Sequence, residues 1–199
     1  MNLKLTDKTA LVSGSTKGIG FAIATGLARE GARVIVNGRS EKAVAEAKAQ
    51  IKQTVPDARI ESFAGDLSTA AAAETLLERF PLVDILVNNL GIFEPKPFED
   101  IPDEEWRRFF EVNVLSGVRL SRAYLPGMKQ RNWGRIVFIS SESAINNPRR
   151  DDPLRHDEDR AACCFARSCP IVCGHGCHGE YGFARSNPFP GRGGICGPA

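Results

Sequence analysis

The sequence predicts an α/β protein built on a doubly wound parallel sheet, and three observations predict it. Short apolar runs alternate with longer amphipathic stretches from residue 8 to about residue 145. The runs are apolar on consecutive positions, as expected of strands that are buried on both faces. A glycine-rich turn also follows the first run, where a buried strand passes into a helix. Such alternation predicts helices on both faces of the sheet, joined by right-handed crossovers.

The elements can be placed in order along the chain. Strands are predicted at residues 9–13, 33–37, 60–64, 84–88 and 135–140. Helices are predicted between and after them at residues 18–30, 41–54, 69–80, 104–113 and 118–130, where apolar residues recur at helical spacing. Ligands of such sheets bind beyond the carboxyl ends of the strands. The strand ends are therefore where functional residues are expected.

The turn after the first strand, S-G-S-T-K-G-I-G at residues 13–20, predicts a phosphate site. Its glycines, Gly14, Gly18 and Gly20, tolerate positive φ and let a ligand approach the backbone N–H groups. The helix that follows directs its positive end at the same place. A glycine turn alone is also typical of tight geometry without a ligand. Its position inside a β-α-β unit favours a dinucleotide pyrophosphate.

The end of the second strand, Asn37-Gly38-Arg39-Ser40, indicates which dinucleotide is bound. An NAD site places a carboxylate near the ribose 2′-hydroxyl, whereas the 2′-phosphate of NADP needs a cation. No acid occupies this turn, and Arg39 with Lys17 can supply positive charge. NADP is therefore favoured over NAD. The alternative for Arg39 is an ordinary solvated arginine.

Polar residues follow the third and fourth strands and interrupt the fourth helix. Asp66, in G-D-L at residues 65–67, can face an adenine amino group or can cap the next helix. N-N-L-G at residues 88–91 is either part of a site or a simple turn. Asn113 lies in an otherwise helical stretch, where Asn brings no propensity benefit. Its amide is therefore predicted to make a buried hydrogen bond.

Taken together, these motifs resemble the short-chain dehydrogenase/reductase family. They are S-G-x-x-x-G-x-G at residues 13–20, Asp66, N-N-L-G at 88–91, Asn113 and I-S-S at 139–141, in the family's order and spacing over about residues 5–145. Ser13 stands where Thr is usual, and Leu90 where Ala is usual. The resemblance implies a Rossmann-like fold. It also implies an NADP(H)-dependent oxidoreductase acting on a small carbonyl or secondary alcohol.

The resemblance also assigns roles to residues. The cofactor-binding residues would be Gly14, Ser15, Lys17, Gly18, Ile19, Gly20, Asn37, Arg39, Asp66, Leu67, Asn89 and Gly91. Residues 14–20 would hold the pyrophosphate, Asp66 and Leu67 the adenine, and Asn89 the nicotinamide ribose. Asn113 would join a proton relay, and Ser141 would hydrogen-bond the substrate oxygen.

Two further residues of the family pattern are missing from this chain. The resemblance implies a tyrosine 13 residues after the serine, which transfers a proton, and a lysine four residues later, which lowers the pKa of the tyrosine. Leu154 and Glu158 occupy those positions and can do neither. The chain as written is therefore expected to be inactive, and the alternative function is that of a non-catalytic dinucleotide-binding remnant.

The chain changes composition at about residue 147. All six cysteines and all three histidines lie after residue 150, among many Arg, Gly and Pro residues without helical or strand period. One interpretation is a zinc site formed by Cys169, Cys173, His175, Cys177 and His178, but the spacing matches no paired CxxC framework, so no metal is predicted. The sequence thus predicts a dinucleotide-binding domain at residues 1–146 and an irregular or disordered tail at residues 147–199.

Codon arithmetic offers an explanation for this tail. Residues 154–161 can be written with permitted codons that, read one base later, give Y-G-M-T-K-T-A, with Tyr over Leu154 and Lys over Glu158. Residues 160–184 likewise give A-Q-L-A-V-S-R-G-L-A-R-L-S-A-G-T-G-V-T-V-N-T-V-L-P. That reading contains an amphipathic helix, a turn and a β-branched strand. We hypothesise that one extra base near codons 146–147 puts the following residues out of frame.

Charge and hydropathy limit the partners. A net charge of +2 is too small to indicate nucleic acid or an anionic membrane surface. No apolar run of 18 residues and no signal-like N-terminus occur, so a cytoplasmic protein without a membrane partner is expected. Homo-oligomers are typical of the resembled family. For this chain an oligomer is in doubt, because the helix that would form the subunit interface is missing.

Overall fold

The computed structural model describes residues 3–94, 96, 98–141 and 177–184, without the side chains of Phe98, Ser141 and 177–184. The first half alternates strand and helix: β1 Thr9–Val12, α1 Gly18–Arg29, β2 Arg33–Gly38, α2 Glu41–Thr54, β3 Ile60–Ala64, α3 Ala70–Arg79 and β4 Ile85–Asn88. The second half holds a 3₁₀ turn Phe98–Asp100, α4 Asp103–Phe110, a π-turn Glu111–Leu115, α5 Ser116–Gln130, β5 Gly134–Ser141 and β6 Cys177–Ala184.

The strands form one parallel sheet in the order β3-β2-β1-β4-β5-β6. The chain winds outward from β1 to β3 and then returns to pair β4 against the other side of β1. The order therefore reverses between β1 and β4, which makes the carboxyl ends of these two strands the topological switch point. The predicted doubly wound parallel sheet is confirmed.

Two apolar cores cover the two faces of the sheet. Successive residues of β1 alternate between them, because side chains of a strand point to opposite faces. Ala10 and Val12 lie in the core with α1 and α2, and Leu11 lies in the core with α3 and α5. Both cores are closely covered at their centres: Val12, Leu11 and Leu120 are almost completely buried. The sheet is thus held rigidly, and its strand ends are fixed relative to one another.

The helix starts follow local capping chemistry. The Ser40 and Thr69 hydroxyls each accept a hydrogen bond from the backbone N–H three residues later and so begin α2 and α3. Thr69 is therefore the cap of α3 rather than its first turn. At α1, Lys17 occupies the cap position and offers no side-chain bond to the first turn. No side chain of the cap residue therefore occupies the N–H groups at the start of α1, which remain available to another partner.

Two predicted helices are one. The sequence indicates a break between residues 113 and 118, but the backbone stays helical from α4 through the π-turn into α5. The π-turn accommodates Asn113 at its centre without ending the helix. π-Turns insert one residue into a helix and often lie at functional positions. The unusual residue therefore marks a local widening of the helix, not its end.

Within the predicted tail, the structure describes one strand, at Cys177–Ala184. These residues form β6, which pairs in parallel with the whole of β5, from Gly134 opposite Cys177 to Ser141 opposite Ala184. The segment contains two glycines and no β-branched residue, so no strand pattern is visible in it. The physical reason for the pairing is the open edge of β5, whose unpaired N–H and C=O groups are a template for any extended segment.

Within the described ranges, no helix is both long enough and apolar enough to cross a membrane. The same ranges contain no cluster of three or more His, Cys, Asp or Glu residues arranged to hold a metal. Of the zinc-site candidates, Cys169, Cys173 and His175 lie outside the described residues, and the side chains of Cys177 and His178 are not described.

Candidate functional site

The glycine turn between β1 and α1 has the backbone that the sequence predicts. Gly14 and Gly18 have φ values of +61° and +57°, which L side chains rarely adopt. A Cβ at Gly20 would lie 2.5 Å from the Gly14 carbonyl oxygen and 2.5 Å from Asn89 Nδ2. The first turn of α1 contains no acidic residue, and Lys17, Gly18 and Ile19 are exposed. An uncovered positive helix end beside a glycine turn fits a phosphate group.

Ser13 joins this turn to the end of β4. Its hydroxyl accepts hydrogen bonds from the backbone N–H groups of Asn89 and Leu90, both at 3.0 Å, and donates to the Val87 carbonyl at 3.3 Å. The residue is 1% exposed, while its two partners Asn89 and Leu90 are half-buried. All three bonds involve only the hydroxyl group of Ser13. Ser13 therefore ties the end of β4 to the glycine turn through this single group.

Asn89 completes the same junction from the other side. Its Nδ2 donates to the carbonyl oxygens of Ser13, at 3.1 Å, and Gly14, at 3.0 Å. The residue is half-buried, and Gly91, two residues later, is exposed at the sheet edge. The predicted pyrophosphate turn and the predicted ribose-binding residue are therefore in direct contact at the switch point.

Asn37 supports the turn from β2 and is 2% exposed. Its Oδ1 accepts from the Gly14 N–H at 3.1 Å, while its Nδ2 donates to the carbonyls of Phe63 and Gly65 at 3.2 and 3.1 Å. Ser15 is also buried, and its hydroxyl donates to the Val12 carbonyl and accepts from the Asn37 N–H. The side chains of Asn37 and Ser15 therefore hold the protein's own backbone, and any contact with a cofactor would come from the turn they position.

The position after Asn37 has no room for a side chain. A Cβ at Gly38 would lie 2.4 Å from Thr16 Cγ2 and 3.2 Å from Val44 Cγ1. A carboxylate at the end of β2 could not be accommodated there without moving Thr16. Arg39 follows directly and is exposed, as is Lys17 across the glycine turn. The edge beside β2 thus carries exposed cations and a buried glycine.

Asp66 and Leu67 form the turn after β3. Asp66 Oδ1 accepts from both the backbone N–H and the hydroxyl of Ser68, at 3.0 and 2.7 Å. The carboxylate is exposed, and its Oδ2 makes no hydrogen bond to the described residues. Leu67 is 1% exposed and anchors the turn in the core. Because Thr69 caps α3, Asp66 shapes the turn and keeps one oxygen directed to solvent.

Asn113 holds the loop that follows β4. Its Oδ1 accepts from the Ile92 N–H at 2.8 Å, and its Nδ2 donates to the Ile92 carbonyl at 3.0 Å. The predicted hydrogen bond of the Asn113 amide is thus present and is two-sided. Lys96, further along the loop, is paired with Glu105 and with Glu94, and the Glu105 carboxylate raises the pKa of the Lys96 amine. The loop is thus attached to the α4 and π-turn segment at two points, through Ile92 to Asn113 and through Lys96 to Glu105.

Ser141 is the last residue of β5 and pairs in register with Ala184 of β6. Its backbone lies at the same edge of the sheet as the ends of β1 and β4, since all strands are parallel. Its side chain is not described, and the positions of Leu154 and Glu158 lie outside the described residues. The structure therefore gathers the predicted residues from Gly14 to Asn113 at one edge.

Sequence reasoning missed three features of this edge. It gave no structural role to the Ser13 hydroxyl or to the Asn37 amide, and it did not single out Arg119, which contacts the turn after β3. Polar residues at strand ends are typical of turns. The sequence therefore does not distinguish a residue that only forms a turn from one whose side chain bonds the backbone of another segment. For Arg119 the only available signal was a cation on the half-buried face of a helix.

The comparisons with known proteins agree with this geometry. The family model for short chain dehydrogenase matches residues 8–150, well over half of the chain. The chain belongs to the short-chain dehydrogenase family. The match includes the glycine turn, the N-N-L-G segment, Asn113 and β5 in one continuous stretch.

Curated proteins are similar to about three quarters of the chain. The uncharacterized oxidoreductase YvaG of Bacillus subtilis is 54% identical over 145 residues, which are 73% of this chain and 55% of that protein. A D-beta-hydroxybutyrate dehydrogenase of Cupriavidus necator is 43% identical over 145 residues, 71% of this chain and 55% of that protein. The chain spans about half the length of the curated relatives it matches.

Solved structures of other proteins share the fold. The L-sorbose reductase of Gluconobacter frateurii, crystallised with NADPH and L-sorbose, superposes with a TM-score of 0.70 at 32% identity, over 83% of this chain and 64% of that chain. A metagenomic short-chain oxidoreductase in complex with NADP gives a TM-score of 0.74 at 27% identity, over 92% of this chain and 84% of that chain.

Proposed function

We propose that this short-chain dehydrogenase binds NADP(H), and that its gene specifies an oxidoreductase for a small carbonyl or secondary alcohol. The observation that carries the proposal is the cradle at the switch point. Gly14 and Gly18 take positive φ, Gly20 leaves no room for a Cβ, and the start of α1 has no side-chain cap. A bound dinucleotide phosphate would receive the N–H groups that this cradle leaves open.

NADP is preferred over NAD in this proposal because of the edge beside β2. Thr16 fills the space next to Gly38, so no carboxylate faces the position of an adenosine ribose. Arg39 and Lys17 are both exposed. A guanidinium can hold a phosphate through two parallel hydrogen bonds, and such charge-assisted bonds are the strong ones.

The cofactor preference can be tested on the chain as it stands. We expect a fluorescence titration to give tighter binding of NADPH than of NADH. Arg39→Ser is expected to weaken NADPH binding by about tenfold, the value of one lost charge-assisted bond, and to leave NADH binding nearly unchanged. Lys42→Ala, which removes an exposed cation from the first turn of α2, is the matched control and should change neither. Equal affinity for both nucleotides would contradict the preference.

The catalytic half of the proposal assigns roles to Ser141 and Asn113. Ser141 would hydrogen-bond the substrate oxygen at the end of β5. Asn113 would join the proton relay, while its amide holds the Ile92 backbone through one bond at each end. NADP(H), when bound, supplies or accepts the hydride. A phenol with a pKa near 10 needs a neighbouring cation to act as a base at neutral pH, and Leu154 with Glu158 provides neither group.

We therefore propose that the chain binds the cofactor without turning over substrate, and that an extra base near codons 146–147 is the cause. The position of β6 supports this. A one-base shift keeps the number of residues between elements, so the second frame reads V-T-V-N-T-V-L-P at positions 177–184, where the sixth strand lies. Three β-branched valines and two threonines suit a strand better than C-H-G-E-Y-G-F-A does.

Resequencing the gene around codon 146 tests the cause, and steady-state kinetics tests the consequence. With a panel of ketones we expect no NADPH oxidation from this chain and measurable oxidation from a frame-restored chain. Peptides covering residues 163–199 from the native source, together with an unshifted gene, would contradict the frameshift. A restored chain that binds NADPH but reduces no carbonyl would favour the second candidate, a dinucleotide-binding protein without catalysis.

A further inference from the structure

The side chain of Arg119, in the first turns of α5, spans two parts of the site that are distant in sequence. Its Nη1 donates to the Ser68 carbonyl at 2.8 Å, and its Nη2 donates to the Glu111 carboxylate. Ser68 belongs to the Asp66 turn, and Glu111 is the first residue of the π-turn. The guanidinium is three-quarters buried. Because its fork is rigid, fixing one arm also places the other.

Each end of this bridge continues into a further set of hydrogen bonds. At one end, Ser68 gives its N–H and its hydroxyl to Asp66 Oδ1, so the Ser68 backbone sets the orientation of that carboxylate. At the other end, the π-turn carries Asn113, whose amide holds both the N–H and the carbonyl of Ile92. A displacement of the Asp66 turn would therefore be transmitted through Arg119 to the loop after β4.

We propose that Arg119 is a positioning residue that couples the adenine end of the cofactor site to the Asn113 clamp on Ile92. The inference rests on the proposed function, since it takes the Asp66 turn as the adenine site. These contacts are already formed without a ligand, and binding of an adenine nucleotide at the Asp66 turn stabilises them further, from the Ser68 carbonyl through Arg119 and Glu111 to the Asn113 bonds with Ile92. The loop after β4 is thereby stabilised even when only the adenine end of the cofactor site is occupied.

Amide hydrogen exchange of Ile92 tests this coupling on the full chain. The ligand is adenosine 2′,5′-bisphosphate, which has an adenine and phosphates but no nicotinamide and so does not extend beyond the glycine turn. At saturation we expect it to slow Ile92 exchange by about fivefold, the lower end of ordinary coupling between sites. In Arg119→Met, exchange is expected to be faster and to become independent of the bound nucleotide.

The controls separate coupling from simple loss of structure. Arg122→Met removes an exposed arginine one turn further along α5 and should keep the full response. Glu111→Gln keeps an acceptor oxygen and should retain the response, whereas Glu111→Leu should abolish it. If Arg119→Met does not fold, the two Glu111 variants still test whether the contact between Arg119 and Glu111 transmits the response to Ile92. A merely structural role of Arg119 would change exchange equally with and without nucleotide.

Three results would overturn the proposal. The first is a wild-type chain that binds the bisphosphate without any change at Ile92. The second is a response that survives in both Arg119→Met and Glu111→Leu. In these two cases the cofactor site stands and only the coupling fails. The third is a chain that does not bind the bisphosphate at all, which contradicts the proposed function as well.

Discussion

The Ser13 hydroxyl satisfies three backbone groups. Ser13→Ala would leave the N–H groups of the half-buried residues Asn89 and Leu90 without an acceptor, and each such loss costs on the order of 1–3 kcal/mol. We expect Ser13→Ala to lower the free energy of unfolding by about 3 kcal/mol, measured by urea denaturation. Ser13→Thr keeps the hydroxyl and should stay within about 1 kcal/mol of the wild type. Equal losses in both variants would show that the methyl group, not the hydrogen bonds, decides stability here.

Gly20 and Gly26 lie in the same helix but in opposite environments. A Cβ at Gly20 would meet the Gly14 carbonyl and Asn89 Nδ2, whereas a Cβ at Gly26 meets nothing within 4 Å. Gly20→Ala is therefore expected to displace the turn and weaken NADPH binding more than about tenfold, since this backbone approaches the phosphate closely. Gly26→Ala should stabilise the chain by about 1 kcal/mol through helix propensity and leave binding unchanged. Fluorescence titration and thermal unfolding of both variants check the pair.

Tyr124 links the helices α5 and α3. Its hydroxyl donates to the Phe80 carbonyl, the C-cap of α3, at 3.0 Å, and the residue is 3% exposed. Burial raises the pKa of the Tyr124 phenol above its ordinary value. The unfolded chain then releases this proton near pH 10, while the folded chain retains it. The stability gained from Tyr124 is thus complete below pH 10 and is lost as the pH rises above it.

Tyr124→Phe tests this contribution directly. At pH 7 we expect the variant to be about 1 kcal/mol less stable than the wild type, because the Phe80 carbonyl loses its donor. At pH 10.5 that difference should fall nearly to zero, since only the wild-type unfolded chain gains by ionising. Urea denaturation of both proteins at the two pH values gives the comparison. A gap that widened at high pH would mean that the folded state ionises more easily than the unfolded one.

The elements that could be predicted from the sequence are those whose signal is local. The strand at Arg33–Gly38 carries its own apolar run, and the turn at Gly14 and Gly18 carries glycines where φ is positive. The continuity of α4 and α5 was not predicted, although Asn113 was expected to make a hydrogen bond from inside a helical stretch. The partner of that bond, Ile92, lies 21 residues away and could not be identified from the local sequence.

The arrangement of the site depends on contacts between distant segments, and these set the limit of sequence reasoning. The presence of Asn37 at a strand end was visible, but its three bonds to Gly14, Phe63 and Gly65 join segments that are 23 to 28 residues apart. The strand Cys177–Ala184 has no strand pattern, and only the open edge of β5 accounts for its pairing. Both the bonds of Asn37 and the pairing of β6 depend on which strands are neighbours in the sheet. The pattern of residues in a single sequence does not show which strands are neighbours.

The outer edge of the sheet, formed by β5 and β6, affects the stability and the self-association of the whole chain. In the present chain, β6 pairs with all eight residues of β5 but brings no β-branched side chain to the sheet. A chain that ends at residue 141 would leave β5 as a free edge, and a frame-restored chain would replace β6 with an apolar, β-branched strand. We therefore expect stability in urea to increase from the truncated chain to the present chain to the restored chain.

The same three chains should differ in self-association, which light scattering at increasing concentration measures. The truncated chain should aggregate, because an exposed apolar strand edge pairs with other copies. The present chain should aggregate less, and the restored chain should stay in one defined state. NADPH binding by all three would show that the glycine turn folds independently of the edge. Equal stability and equal association of the truncated and present chains would mean that Cys177–Ala184 contributes nothing to the sheet, and β6 would then be no part of the folded molecule.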